Sequence, residues 1–210
     1  MTIQPIVEGH GEVEAVPVLL RRLQQELGVY GFRIARPIRR KRSELATEEQ
    51  VRLSVRLALG QPECAGVLIL FDSDDDCPAV VGPRVQQWAQ MEAGATLCQV
   101  VLAHREYEAW FLSSLESLRS FRGVTPDAIS HPTPETIRDC KAALEQHMAS
   151  GSSYSPSIDQ AAFTSQFDIP QAFRTCRSFR RLATAFRNLA RATGFEMDVW
   201  PPAHWQDLMD

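Results

Sequence analysis

One stretch of the sequence constrains the fold more than any other: an apolar run that ends in a cluster of carboxylates, GVLILFDSDDD, at residues 66–76. A continuous run of branched apolar residues, closed by polar turn formers, is typical of a strand buried in a parallel sheet. Asp72 and Asp74 follow directly after this strand. Ligands of open α/β sheets bind at the carboxyl ends of the strands, and like charges packed there repel unless a cation lies among them. The stretch therefore predicts a doubly wound α/β fold with a divalent-metal site.

Composition is that of an ordinary globular protein. With 210 residues, of which 44% are hydrophobic, the chain has the size of one domain or of one domain with an appendage. The formal net charge of −4 provides no global attraction to nucleic acid, so any such contact requires a local basic patch. The five cysteines form no CxxC pair, which argues against a zinc knuckle or a disulfide framework and favours a reducing cytoplasm.

No segment of the sequence indicates secretion or membrane insertion. The first residues, MTIQPIVEGHGE, lack a basic segment and reach a glutamate early, so we expect no signal peptide. No apolar run approaches the roughly 20 residues that a membrane-spanning helix needs. We therefore expect a cytoplasmic protein without membrane contacts.

Strand and helix patterns alternate through the first half of the chain. The predicted strands are residues 2–7, 32–38, 66–71 and 96–103, and the predicted helices are residues 13–27, 47–59 and 80–93. The second strand contains arginines and Pro37, which places it near an edge of the sheet. This alternation predicts right-handed βαβ units and a mainly parallel four-stranded sheet flanked by helices.

The pattern changes near residue 115, beyond which no convincing strand occurs. We expect residues 1–115 to form the α/β core and residues 116–210 to form a helical C-terminal extension packed on it. Within the extension, the sequence predicts a helix from Pro134, capped by Thr133, to about residue 149, and a second helix over residues 179–192. In that second helix, Arg180 and Arg181 alternate with an apolar stripe, which favours an exposed face; the alternative is that they close over the site. Residues 199–202 are expected to be extended.

Acidic side chains follow three of the four predicted strands. Glu8 follows the first strand, Asp72 and Asp74 follow the third, and Glu106 and Glu108 follow the fourth. Because parallel strands bring their carboxyl ends to one edge, these groups are expected to lie together. Asp72 and Asp74, two residues apart in extended chain, would project to the same side. Carboxylate oxygens suit Mg²⁺ or Mn²⁺, so the pattern predicts metal-assisted phosphoryl chemistry.

A structural alternative exists for the acidic cluster. Acidic residues after strands often cap helices, and Asp74 or Asp76 could cap the helix that follows Pro78. On this alternative, the cluster is a helix cap or a solvated turn without a metal.

Basic and histidine side chains also fall near the predicted site. Residues 39–42, Arg-Arg-Lys-Arg, follow the second strand, and Arg105 lies beside the last acidic motif. A basic patch next to a metal would hold a phosphate backbone, and the alternative is a solvated loop. His10 and His104 fall at predicted strand ends, where each is either a candidate general base or a loop residue without a role.

Two sets of motifs resemble known families. Glu8-Gly9 after the first strand, with Asp72-Ser73-Asp74 after a later one, resembles the TOPRIM signature of a strand-end glutamate and a DxD pair. Topoisomerases, primases, recombination proteins and OLD-type nucleases share that signature. The segments VEGHGEVEAV, LILFDSDDD, HREYEAWFL and RTCRSFRRL resemble, over nearly the whole chain, a bacterial TOPRIM-like family, domain of unknown function 4276 (DUF4276).

The resemblance implies a TOPRIM-like, Rossmann-like fold with a Mg²⁺-dependent activity on nucleic acid, in phage defence or DNA repair. Glu8, Asp72 and Asp74 match the TOPRIM metal positions. Glu106 and Glu108 resemble the additional acidic motif of OLD-like nucleases, in which Glu108 would hold a second ion or orient water. Lys141 is a loose counterpart of a family lysine, because Cys140 precedes it where the family often has serine.

Three functions follow as hypotheses. The first is a Mg²⁺- or Mn²⁺-dependent nuclease or related phosphotransfer enzyme that acts on nucleic acid. The second is a non-catalytic effector subunit that uses the TOPRIM scaffold to bind nucleic acid or a partner protein encoded nearby. The third is a small-molecule phosphatase or phosphotransferase of flavodoxin-like shape.

Overall fold

The computed structural model describes residues 1–196 and 199–206. Within these ranges the chain alternates strands and helices as far as residue 103 and is helical beyond it. The elements are β1 (Thr2–Val7), α1 (His10–Leu27), β2 (Arg33–Ile34), β3 (Ile38–Arg39), α2 (Arg42–Leu45), α3 (Glu48–Leu59), β4 (Cys64–Asp72), α4 (Pro78–Ala93), β5 (Leu97–Ala103), α5 (Ala109–Leu112), α6 (Cys140–Glu145), α7 (Pro156–Thr164), α8 (Ile169–Thr175), α9 (Arg177–Ala192) and α10 (Ala203–Gln206).

The strands form one parallel sheet in the order β2-β1-β4-β5, with β3 also paired to β1. Val7 lies opposite Leu70 in the β1–β4 pair, and Asp72 lies opposite Ala103 in the β4–β5 pair. After β1 the chain adds β2 and β3 on one side of the sheet, and after β4 it adds β5 on the other side. The strand order therefore reverses between β1 and β4. The predicted α/β class with a mainly parallel sheet is confirmed, and the crevice between β1 and β4 is its topological switch point.

The predicted second strand is present as two short pieces, β2 and β3. Within the described part of the chain both pair with β1 and with no other strand, so the predicted edge position is confirmed. Pro37 stands between the pieces and has no N–H to contribute to the ladder, which explains the interruption.

Helices cover both faces of the sheet. One face packs against α1 and α9, and the other against α3 and α4. On the first face, a Cβ atom at Gly66 would approach Leu189 Cδ2 of α9 to 2.8 Å, so this glycine lets the helix pack closely on β4. None of the helices in the described ranges combines bilayer-spanning length with sufficient hydrophobicity.

The first helix begins earlier than its apolar pattern predicts. It starts at His10 and not at residue 13, and Pro17 lies inside the helix. Glu12 explains the earlier start, because its Oε2 accepts hydrogen bonds from the backbone N–H groups of Glu8 and Gly9, both at 2.9 Å. A glutamate that reaches back in this way satisfies helix N–H groups and stabilises the first turn.

The prediction for the C-terminal part is wrong in one helix. In place of a helix over residues 134–149, the chain forms a 3₁₀ turn at Pro134–Thr136 and then α6. Asp139 starts α6 by accepting a hydrogen bond from Ala142 N at 2.9 Å. The predicted extended tail has no strand at residues 199–202, and residues 197–198 and 207–210 of the predicted extension lie outside the described residues.

The outer edge of β5 is covered by two glutamines of α4. Gln90 accepts a hydrogen bond from Cys98 N and donates one to Thr96 O, both at 3.0 Å. Gln86 donates to Cys98 O at 2.7 Å and accepts from Val100 N at 2.8 Å. Side-chain amides therefore take the place of a further strand along this part of the edge.

Candidate active site

The acidic residues that follow β1, β4 and β5 meet at one edge of the sheet. Glu8 comes directly after β1 and Asp72 ends β4, so these two residues flank the switch-point crevice. Glu106 and Glu108 follow β5 on the far side of β4. The sheet thus places carboxylates from three neighbouring strand ends where α/β proteins bind ligands.

Glu8 lies partly buried beside the end of β4. Its Oε2 is buried and receives no hydrogen bond within the described part of the chain. Burial raises the pKa of Glu8 above its usual value, and the nearby Asp74 carboxylate adds to the rise. The positive charges of Arg42 and Lys141 oppose this rise without overcoming it.

Asp72 is held more firmly. Its Oδ1 accepts a hydrogen bond from Tyr107 N at 2.9 Å, and its Oδ2 lies 4.0 Å from Lys141 Nζ. Burial raises the pKa of Asp72 well above its usual range, and the carboxylates of Glu12 and Glu108 raise it further. The raised pKa means that the surrounding side chains stabilise the ionised form of Asp72 poorly.

Glu108 is completely buried. Its Oε1 accepts a hydrogen bond from Tyr154 Oη at 2.9 Å and a longer one from Gln160 Nε2 at 3.4 Å. Its Oε2 receives no hydrogen bond from the described residues and lies 3.6 Å from Lys141 Nζ. Burial raises the pKa of Glu108, although Lys141 and the Tyr154 hydroxyl act to lower it.

Lys141, the second residue of α6, lies among these carboxylates. Its Nζ is 3.3 Å from Glu106 Oε1, and its backbone N–H donates to Glu106 Oε2 at 3.0 Å. Burial acts to lower the pKa of Lys141, but the surrounding carboxylates override it and raise the pKa above its ordinary value. Lys141 therefore remains protonated, and Glu106 holds it at both its backbone and its side chain.

Glu12 is a member of the cluster that the sequence reasoning missed. It is 4% exposed, and burial raises its pKa to about 7, although its hydrogen bonds from Gly9 and Glu8 oppose the rise. The sequence signal for it is a glutamate shortly before an apolar helical run, which is half of a capping box. The two glycines around His10 indicate a turn instead.

Asp74 lies at the exposed rim and not among the buried carboxylates. Its φ of +48° places it in a turn, so the extended backbone expected through this residue is not found. Its Oδ2 lies 3.8 Å from Arg42 Nε, and Arg42 also pairs with Asp76. The N-cap of α4 is Cys77, so the structural alternative in which Asp74 or Asp76 caps this helix is not found.

The donor chemistry of the cluster fits a hard divalent cation. Carboxylate oxygens are the preferred ligands of Mg²⁺ and Mn²⁺, and Glu8 Oε2 and Glu108 Oε2 accept no hydrogen bond from the described residues. Within residues 1–196 and 199–206, however, no three His, Cys, Asp or Glu side chains are already arranged to hold a metal. In this arrangement Lys141 supplies positive charge instead.

A cleft of about 260 Å³ leads to the cluster between the start of α1 and α7. Gly11 permits this arrangement, because a Cβ there would lie 2.3 Å from Gln160 Oε1 and 2.4 Å from the backbone oxygen of Pro156. Both contacts are too short for any side chain, so α7 can lie over the site only if residue 11 is glycine. Asp72, Glu108 and Lys141 all line this cleft.

A family model described as "Domain of unknown function (DUF4276)" matches residues 7–187. The chain belongs to the DUF4276 family. The matched range includes every carboxylate of the cluster as well as Lys141, Tyr154 and Gln160 of this DUF4276 protein. Searches of curated proteins and of solved structures find no match.

The basic residues of this DUF4276 protein take separate positions. Of residues 39–42, Arg42 reaches the acidic edge, where it stacks on Phe71 at 4.8 Å from the ring centroid. His10 is exposed as the first residue of α1 and lines the cleft. His104 Nδ1 lies 3.1 Å from Ser73 Oγ, and burial lowers its pKa.

Proposed function

We propose that this DUF4276 protein is a Mg²⁺- or Mn²⁺-dependent nuclease on a TOPRIM-like fold. The observation that carries the proposal is the group of buried carboxylates at the switch point, in which Glu8 Oε2 and Glu108 Oε2 lack hydrogen-bond donors. The resemblance of the Glu8-Gly9 and Asp72-Ser73-Asp74 motifs to the TOPRIM signature supports the same assignment. The resemblance of the later acidic motif to that of OLD-type nucleases supports a role in phage defence or DNA repair.

Electrostatics favour a further cation at this position. Burying a carboxylate costs several kcal/mol unless a partner compensates it. Lys141 can offset one negative charge, whereas Glu8, Glu12, Asp72 and Glu108 all have raised pKa values. A divalent ion would relieve this repulsion and hold the site together.

The residues take distinct roles in the proposed reaction. Glu8, Asp72 and Glu108 would hold the ion, with Asp74 reaching it from the rim. When bound, Mg²⁺ supplies positive charge to a phosphate oxygen and makes water more acidic. The protonated Lys141 would donate to another phosphate oxygen and stabilise the charge that develops there, with Glu106 as its positioning residue.

The test is cleavage of plasmid, single-stranded DNA and RNA by the purified protein in Mg²⁺ or Mn²⁺. Cleavage is expected with either ion, and Glu8→Gln and Asp72→Asn are expected to abolish it. Asp127→Asn is the matched control, because Asp127 is an exposed aspartate outside the cluster. Cleavage that persists in Asp72→Asn would contradict the proposal.

A second candidate function rests on Lys141. Because this lysine already contributes positive charge to the cluster, the scaffold is also suited to a non-catalytic subunit that binds nucleic acid or a partner protein. Binding that persists in chelator and in Asp72→Asn, without cleavage by the wild type, would favour this alternative.

A further inference from the structure

A second cleft, of about 380 Å³, lies beside the active site at the carboxyl end of β5. Arg105, Arg177 and Arg181 line its charged side, and Pro78 and Leu102 line its apolar side. We call it the arginine cleft. Its volume is at the lower end of the range for small-molecule sites, which suits one ligand unit with a charged and an apolar part.

Two of the acids that line the arginine cleft are neutralised by their own partners. Asp75 Oδ1 lies between Arg105 and Arg138, at 2.9 and 2.8 Å. Asp76 pairs with Arg42. Neither acid therefore pairs with Arg177 or Arg181.

The third acid, Glu135, is hydrogen-bonded to the backbone at the start of α9. Its carboxylate accepts hydrogen bonds from Arg177 N at 2.8 Å and Ser178 N at 2.7 Å, so it occupies the start of the helix. The guanidinium groups of Arg177 and Arg181 form neither a hydrogen bond nor an ion pair with any residue that the structure describes. Both side chains belong to exposed residues.

Arg177 and Arg181 are not placed for the stability of α9. Arg177, the first residue of α9, opposes the helix macrodipole, and the carboxylate that offsets this at the helix start comes from Glu135 and not from α9 itself. The two arginines are also four residues apart, a spacing at which like charges repel. Arg180, by contrast, has a structural role, since its Nη1 donates to Phe173 O at 3.0 Å. Like-charged side chains held close together without ion-pair partners are typical of a binding site.

The arginine cleft lies beside the active site, across the ends of β4 and β5. Ser73 follows Asp72 directly, and its Oγ lies 3.1 Å from Nδ1 of His104, a residue of the cleft wall. Because Asp72 lies opposite Ala103, the residue before His104, a ligand chain that leaves Asp72 across the end of β5 would reach the cleft wall.

We infer that the arginine cleft holds one nucleotide of the strand bound at the active site. Arg177 and Arg181 contact its phosphate, which guanidinium groups bind in a bidentate manner, while Pro78 and Leu102 contact its sugar or base. This inference rests on the proposed action on nucleic acid, and it adds where the strand runs beyond the cleaved bond.

The test measures binding of a fluorescent single-stranded oligonucleotide by anisotropy, in chelator, at several salt concentrations. Arg177→Ala/Arg181→Ala is expected to weaken binding and to make the slope of log K against log salt shallower by about 0.7 for each phosphate that the protein no longer neutralises. Arg191→Ala, an exposed arginine at the other end of α9, is the matched control and is expected to bind as the wild type does. The double variant is expected to melt at the same temperature as the wild type or higher, because it removes repulsion from the helix start.

Unchanged affinity and salt slope in the double variant would overturn the inference. So would complete displacement of the oligonucleotide by a mononucleotide at the same phosphate concentration, which would assign the cleft to free nucleotides. The binding test and the nuclease assay can fail independently. If cleavage depends on Asp72 but binding does not depend on the two arginines, the nuclease proposal stands and the inference about the arginine cleft is wrong. If binding depends on the arginines but no cleavage occurs, the arginine cleft still binds nucleic acid and the nuclease proposal is wrong.

Discussion

Lys141 Nζ lies 3.6 Å from Oε2 of Glu108, a completely buried side chain. The lysine belongs to α6, in the predicted C-terminal extension, whereas the glutamate follows the last strand of the sheet. The site is therefore assembled from both sides of the boundary predicted near residue 115. Residues 1–115 alone would leave the carboxylates without this cation.

Lys141→Met is expected to lower the free energy of unfolding by about 1–2 kcal/mol in chelator, less than for a fully buried pair because the lysine is 40% exposed. Removing the ammonium leaves the carboxylates to repel one another. Chemical denaturation with and without Mg²⁺ measures the effect, and Mg²⁺ is expected to restore more stability to the variant than to the wild type. Lys41→Met, at an exposed residue, is the control, and an equal loss in both variants would contradict the prediction.

Glu12→Gln is expected to remove a pH dependence from stability. The folded-state pKa of about 7 exceeds the ordinary value of 4.5, so the folded protein holds an additional proton between these values. Wild-type stability therefore falls as the pH rises through this window, by on the order of 3 kcal/mol at most. Glutamine stays neutral, and its Oε1 can still accept the two backbone hydrogen bonds.

The measurement for Glu12→Gln is the free energy of unfolding between pH 4.5 and pH 8. The difference between variant and wild type is expected to move in favour of the variant as the pH rises. Glu14→Gln, on the same helix but exposed, should give a difference that does not depend on pH in this way. A flat difference for Glu12→Gln would show that Glu12 is ionised throughout.

Tyr154→Phe is expected to destabilise the protein by about 1–3 kcal/mol, because it removes the 2.9 Å hydrogen bond to buried Glu108 Oε1. The pKa of Glu108 should rise further, since the hydroxyl stabilises the ionised form. Thermal and chemical unfolding measure the loss. Tyr30→Phe removes a hydroxyl from an exposed residue and should leave stability unchanged.

Gly11→Ala is expected to displace α7 and to destabilise the fold by several kcal/mol, because backbone at Pro156 cannot yield to the new Cβ. Gly82→Ala is its counterpart in α4, where the nearest heavy atom would be Leu102 Cδ1 at 3.8 Å. That substitution is expected to change the free energy of unfolding by about 1 kcal/mol or less, because crowding of the new Cβ against Pro83 opposes the gain in helix propensity. Thermal unfolding compares the two variants, and equal effects would show that α7 does not pack on Gly11.

The sequence predicted those parts of the fold that depend on local patterns. The apolar run before Asp72 and the alternation of strands and helices lead directly to the parallel sheet, and strand ends place Glu8, Asp72 and Glu108 at its carboxyl edge. The TOPRIM assignment, the metal and the nuclease activity remain proposals.

The rest depends on contacts between distant segments. Tyr154 and Gln160 reach Glu108 because α7 lies over α1, and nothing in their own surroundings in the chain indicates that partner. Glu12 was missed because the glycines around His10 indicate a turn as readily as a helix start. Asp74 was placed with Asp72 by assuming an extended backbone, which its positive φ rules out.

The amides of Gln86 and Gln90 have a consequence for self-association. Because they already satisfy backbone groups from Thr96 to Val100, a strand from another molecule could join β5 there only after breaking four hydrogen bonds. Side-chain hydrogen bonds of this kind protect an apolar edge strand from cross-β aggregation, and the strand itself then needs neither proline nor charge.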